Sequence, residues 1–257
     1  MITDLPQNRF KRGLKSGTPQ IGLWLSMTSP VATEIVAGAG FDWMLVDMEH
    51  AANDLSDVAA HLRAAVGGSA EPVVRVPWND PVMVKRVLDI GTRSLLFPFV
   101  QSAEEARRAV AATRYPPKGI RGVATATRAN RYGRVGDYFK RVEDELCVLV
   151  QVETTKAIAE IEAIAAVDGI DGLFIGPGDL SADMGHLGDP QQPAVWEAIL
   201  GAGKRIQKSG KAAGFLSGRE DDCRRVLNAG FGFVAVGSDV GILARQGEAL
   251  VRLYKPA

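Results

Sequence analysis

Apolar residues recur along this chain in short, nearly unbroken runs separated by longer stretches with helical spacing. IGLWL, WMLV, VVRV, LLFPF, VLVQV, LFI, AAGFL and VAV predict strands near 19–27, 41–49, 71–78, 94–100, 146–153, 171–176, 211–217 and 231–237. Continuous apolarity, rather than strict alternation, suits strands covered on both faces. Helical patterns fall between them at 30–39, 55–67, 81–90, 103–114, 155–166, 192–208, 219–229 and 240–254. Ser102, before Ala103-Glu104-Glu105, has the form of an N-cap, and Gly91, Gly210 and Gly230 stand where helices should stop. Eight strand–helix units without a linker predict a closed (β/α)8 barrel filling residues 1–257 as one domain, in preference to an open doubly wound sheet. Segment 9–16 reads as a short helix plugging the barrel's bottom. The rhythm breaks once, at 115–145, a stretch rich in Gly, Arg and Thr that turns helix-like from Val135. Loops of that length carry function or an interface.

Composition acts mainly by exclusion. Thirty basic and thirty acidic residues cancel, so charge gives no ground for a nucleic-acid or anionic-membrane partner. No apolar run approaches the roughly 20 residues that span a bilayer. The first residues, MITDLPQNRFKRGLKSG, lack the apolar stretch of a signal peptide, and a cytoplasmic address is expected. Two cysteines, Cys147 and Cys223, make neither a disulfide framework nor a metal cluster.

The chemistry gathers where strands end. In β/α barrels, active sites form at the carboxyl ends of the strands. His50 follows the second predicted strand, Arg75 lies in the third, Glu153 ends the fifth, and Asp179 follows the sixth. An isolated strand-end acid is as readily a helix cap. Two on adjacent strands point to a cation, and oxygen-only ligation suits Mg²⁺ or Mn²⁺. His50, next to Asp47 and Glu49, fits a general base, with a packing histidine as the plainer alternative. His61 reads as a helix-packing or surface residue and His186 as a loop residue. Arg75, within VVRVP, needs a partner or a polar cavity; it serves either an enolate oxygen or a structural ion pair. Gln151 shares a strand face with Glu153. No strand ends in lysine, which weakens a Schiff-base mechanism; Lys156 is the only near candidate, and Lys211 opens its strand at the wrong end. The glycines of GAGF (38–41) and GPGD (176–179) read as turn residues.

The runs GLWLSM, AGAGFDWMLVDMEHA, PVVRVPWNDP, RYPPKGIRGV, VLVQVETTKA, FIGPGDLSADMG and FVAVGSD resemble the HpcH/HpaI aldolase family over nearly the whole chain. The resemblance implies metal-dependent class II pyruvate aldolases, with Co²⁺ admissible beside Mg²⁺ and Mn²⁺. It also implies a homohexamer built as a trimer of dimers, in which the last helix is exchanged onto a neighbour's barrel. It puts the metal carboxylates at Glu153 and Asp179, the base at His50 and the transition-state arginine at Arg75. An aspartate that raises the histidine's basicity falls on Asp89, which the local pattern reads only as a last-turn helix residue. Substrate contacts fall on Gln151, Gly178, Asp179, Trp24 and Leu216. Gly178 stands where many relatives carry alanine, which gives the pocket wall room. The implied reaction is reversible cleavage of a 4-hydroxy-2-oxo acid to an aldehyde and pyruvate, or a related 2-oxo acid such as hydroxypyruvate. The same enolate would serve an oxaloacetate decarboxylase or a citrate-lyase-like acyl-CoA lyase; the arginines of 121–134 could line a groove for CoA, but an oligomer contact is the expected use. A non-catalytic binding barrel is the reading from another class.

Overall fold

The computed structural model describes residues 4–255; the ends of the domain drawn from sequence, 1–3 and 256–257, lie outside the described residues. Eight parallel strands close into a barrel in chain order, β1 pairing with both β2 and β8. They are β1 Gln20–Leu25, β2 Trp43–Asp47, β3 Glu71–Arg75, β4 Ser94–Phe97, β5 Cys147–Val152, β6 Gly172–Ile175, β7 Ala212–Leu216 and β8 Phe233–Ser238. Every predicted strand is present. The helices are α1 Arg9–Ser16, α2 Pro30–Ala37, α3 Leu55–Ala64, α4 Pro81–Asp89, α5 Ala103–Thr113, α6 Tyr138–Glu145, α7 Thr155–Ala159, α8 Ile161–Ala165, α9 Pro177–Asp183, α10 Pro193–Lys208, α11 Glu220–Asn228 and α12 Asp239–Tyr254.

Two apolar layers follow from strand alternation. Trp24, Trp43, Leu45, Val73, Leu96, Leu149, Phe174 and Phe233 point inward and fill the barrel, while their neighbours pack against the helices. Phe10 of α1 enters the lower end, its ring 5.5 Å from Trp43 and 5.7 Å from Phe233, so α1 is the expected plug. Ser102 caps α5 by accepting from Glu105 N–H, and Gly91, Gly210 and Gly230 all take positive φ at helix ends.

Three differences stand out. The expected helix 155–166 is split into α7 and α8 at Glu160. GPGD is not a simple turn: Gly176 is the N-cap of α9, and Pro177 supplies a preset φ at its first position. Segment 115–145 is anchored at the amino end of the barrel, away from the mouth. Arg128 there donates to the carbonyls of Ile90 and Leu62, Ala129 N–H donates to Asp89 O, and Arg131 donates to Asp4 O. Among the described residues, no helix is long and apolar enough to cross a membrane.

Candidate active site

The inward alternation of β2 and β3 sets the base and the cation. Positions 43, 45 and 47 share one face, so Asp47 enters the barrel above Leu45. Its carboxylate holds Arg75 bidentately, from Nε at 2.8 Å and from Nη2 at 2.6 Å. Arg75 Nη1 lies 2.8 Å from Glu49 Oε2, and the guanidinium covers the Trp24 ring at 4.8 Å. Trp24 Nε1 donates to Asp47 Oδ2 at 3.2 Å. Arg75 is therefore both an ion-pair member and a cation at the mouth. Burial pushes the Asp47 carboxyl up, but Arg75 outweighs it and holds the group below the usual carboxylate range.

Asp47 does not orient the imidazole of His50. Its Oδ1 accepts the backbone N–H groups of Glu49 at 3.0 Å and of His50 at 3.4 Å, which fixes the loop. The His50 ring stands 65% exposed, with Nε2 3.8 Å from Glu49 Oε2. Glu49 thus lies between base and guanidinium, so of the two acids beside His50 in the sequence it is Glu49 that approaches the ring.

Gln151 on β5 and Glu153 just past its end lie on one side of the chain, and Gln151 Nε2 donates to Glu153 Oε2. Phe99 N–H donates to Glu153 Oε1 at 2.9 Å. Burial, with the charges of Asp179 and Glu49 adding, pushes the Glu153 carboxyl up to about 7; the bonds from Gln151 and Phe99 oppose this. Burial likewise pushes Glu49 up, against the pull of Arg75 and His50, with Asp47 and Asp179 adding. Asp179, in the first turn of α9, is close enough to act on both. A methyl built on Gly176 would overlap Glu153 Oε2 and sit 3.0 Å from Gln151 Nε2, so the carboxylate abuts the entry to α9. Gly176→Ala is accordingly expected to displace Glu153 and destabilise the fold by roughly 1–3 kcal/mol. Thermal unfolding and Mn²⁺ titration of that variant check it. Gly178 differs: its added methyl meets nothing within 4 Å, so alanine would fit there. Leu216, at the end of β7, is half-buried against the barrel interior.

Asp89 is not among these groups. It ends α4, at the amino end of the barrel, whereas His50 stands at the carboxyl end. Its Oδ1 accepts from Arg121, a fully buried side chain, at 2.8 Å. Within one chain it cannot raise the basicity of His50, because a helix antiparallel to the strands ends at their starts. Lys156 is exposed on α7, and Lys211 bonds Ile170 O at the amino end. His61 is buried between Thr33 and Asn53. Arg128, Arg131 and Arg134 line a cavity of about 710 Å³ with Leu5, Arg9 and Glu71, at the end opposite the mouth. They therefore offer no groove to a CoA tail reaching this chain's own mouth.

Two carboxylates (Asp47, Glu49) hold the Arg75 guanidinium, and two more (Glu153, Asp179) act on Glu49 or on each other without a cation of their own among these contacts. That excess of acid fits a bound cation. Among the described residues, no three His, Cys, Asp or Glu side chains form a ready-made metal cluster. Glu153 and Asp179 would hold an ion from one side and leave positions for water and substrate. Gln151 Oε1, buried and without a hydrogen-bond partner among the described residues, is a further acceptor beside them.

Fold and site together define a parallel β/α barrel with acid, imidazole and guanidinium groups at the carboxyl ends of its strands. Residues 20–245 match the HpcH/HpaI aldolase/citrate lyase family. The chain is 53% identical over 249 residues to a 4-hydroxy-2-oxo-heptane-1,7-dioate aldolase of Escherichia coli, covering 96% of this chain and 95% of that one. It is 54% identical to the protein of that name from Klebsiella pneumoniae, covering 96% and 94%. Among solved structures, a HpcH/HpaI aldolase/citrate lyase family protein from Burkholderia cenocepacia superposes with a TM-score of 0.93 at 41% identity, covering 96% of this chain and 99% of that one. The chain belongs to the HpcH/HpaI aldolase/citrate lyase family and is a carbon–carbon lyase.

Proposed function

We propose that this protein is a divalent-metal-dependent aldolase that cleaves 4-hydroxy-2-oxo acids to pyruvate, or a related 2-oxo acid, and an aldehyde. The observation that carries the reading is a set of groups at one end of the barrel: a buried Glu153 held by Gln151 and the Phe99 N–H, Asp179 in the first turn of α9, an exposed imidazole, and a guanidinium fixed by two acids. The named relatives support the substrate class. Mg²⁺ or Mn²⁺ would be held by Glu153 and Asp179 and, when bound, supplies the Lewis acidity that makes C3 of a 2-oxo acid acidic. In the cleavage direction, His50 takes the C4 hydroxyl proton as the C3–C4 bond breaks, and the aldehyde leaves. Arg75, held by Asp47 and Glu49, stabilises the enolate oxygen left on the pyruvyl half. His50 then returns a proton to C3. Trp24 and Leu216 wall the donor pocket, and Gln151 with the backbone at Gly178 and Asp179 orients the carboxylate. The room at Gly178 admits a donor larger than pyruvate.

A retro-aldol screen over 4-hydroxy-2-oxo acids tests this, with and without chelator and with borohydride present. Aldehyde release that stops on chelation and survives borohydride is expected. Chelator-insensitive cleavage, or inactivation by borohydride, would contradict it.

Proton linkage gives a separate prediction. Glu153 holds its proton to about pH 7 in the folded chain against an ordinary value of 4.5. The metal-free folded state therefore binds the extra proton between those values, and its stability falls as pH rises from about 4.5 to about 7. A divalent ion must displace that proton. Mn²⁺ affinity is expected to climb with pH to about 7 and then level off. A dissociation constant flat across that window contradicts a Glu153 that gives up a proton on metal binding.

For assembly, the exposed apolar residues of α12 (Ile242, Leu243, Leu250, Val251, Leu253) support a homohexamer in which a neighbouring barrel covers this helix.

A further inference from the structure

Among the non-glycine residues with positive φ, Phe99 is the one whose backbone touches the candidate site. Its φ is +53°, in the left-handed region that a bulky side chain disfavours. The distortion has a visible consequence. Along an ordinary strand, consecutive N–H groups point to opposite sides. Here Phe99 N–H reaches Glu153 Oε1 at 2.9 Å while Val100 N–H reaches Gln151 O at 3.0 Å, so two successive amides both address β5. The ring of Phe99 stacks on Trp78 with centroids 5.9 Å apart and planes at 28°. Trp78 lies in the loop after β3, three residues beyond Arg75, and is 56% exposed.

We infer that Trp78 is a positioning residue: its stack on Phe99 holds the strained turn that aims an amide at Glu153 and so sets the affinity of this carboxylate for a divalent ion. The inference rests on the proposed metal role of Glu153. Strained residues persist where surrounding contacts over-determine them, and the stack holds the ring while the two amide bonds hold the backbone. The mouth loops after β3 and β4 are thereby coupled to the carboxylate of Glu153, just after β5, although no Trp78–Glu153 hydrogen bond is present among the described residues.

A double-mutant cycle read by Mn²⁺ binding tests this, using electron paramagnetic resonance of free Mn²⁺ on the full chain without substrate. Trp78→Ala is expected to weaken Mn²⁺ binding about tenfold, as loss of an outer-shell partner does, and Trp78→Phe to restore most of it. Glycine adopts positive φ without penalty. In a Phe99→Gly background the turn no longer needs its clamp, and Trp78→Ala should then change the dissociation constant little. Equal losses in both backgrounds, or none in either, overturn the inference. So does a change confined to aldehyde KM, which would make the pair a substrate wall. Thermal unfolding of each variant checks that the barrel is intact. If the unaltered protein binds no Mn²⁺, the proposed metal role itself fails, a result distinct from binding that ignores Trp78.

Discussion

Replacing His50 by alanine is expected to lower turnover by about 10²–10⁴-fold, the usual worth of a positioned general base. The geometry makes this a clean test. The ring is 65% exposed and makes no buried hydrogen bond, so its removal should leave the fold untouched. Asp47 anchors the loop through backbone N–H groups, which alanine retains. The loss should therefore appear in kcat with little change in Mn²⁺ binding or melting temperature. A His50→Ala enzyme retaining near-full turnover would transfer the base role elsewhere, with Glu49 the nearest candidate.

Arg75→Ala is expected to cost kcat/KM about 10²–10³-fold, on the order of 3 kcal/mol of transition-state stabilisation. It differs from His50→Ala in a second respect. Asp47 is buried and this guanidinium is the cation paired with it, while its other donors, Trp24 and two backbone N–H groups, are neutral, so the variant strands a buried charge. Breaking such a pair costs roughly 3–5 kcal/mol of stability. Kinetics must therefore be read well below the lowered melting temperature. Arg75→Lys keeps the charge but loses the planar fork that engages both Asp47 oxygens, and should recover only part of either loss. Full activity in Arg75→Lys would show that charge alone suffices at this position.

The barrel was legible because its strands are buried on both faces, and that condition writes itself as short apolar runs. The residues at strand ends were legible for the same reason: Arg75 and Glu153 interrupt or end runs that otherwise exclude charge. Glu49 was legible as an acid beside His50, but not its ion pair with Arg75, because it lies past the last strand residue, where alternation loses force. α9 was read as a turn because Gly176-Pro177-Gly178 has turn chemistry, yet proline at a helix's first position is equally compatible with a helix start. Asp89 was assigned by resemblance while its own pattern, the last turn of a helix before a strand, already put it at the barrel's amino end. Phe99 left no trace in the sequence. A left-handed conformation at a phenylalanine is imposed by tertiary contacts, which local pattern does not encode.

In the proposed mechanism, Glu153 and Asp179 hold a divalent ion that lets His50 take a proton from the carbon beside a ketone. Exchange of pyruvate methyl protons in D₂O, followed by proton NMR, addresses it without any aldehyde. The signal should fade with the Mg²⁺- or Mn²⁺-loaded enzyme and persist after chelation, in Glu153→Gln and in His50→Ala. Exchange that continues at the same rate in chelator, or in both variants, would contradict it.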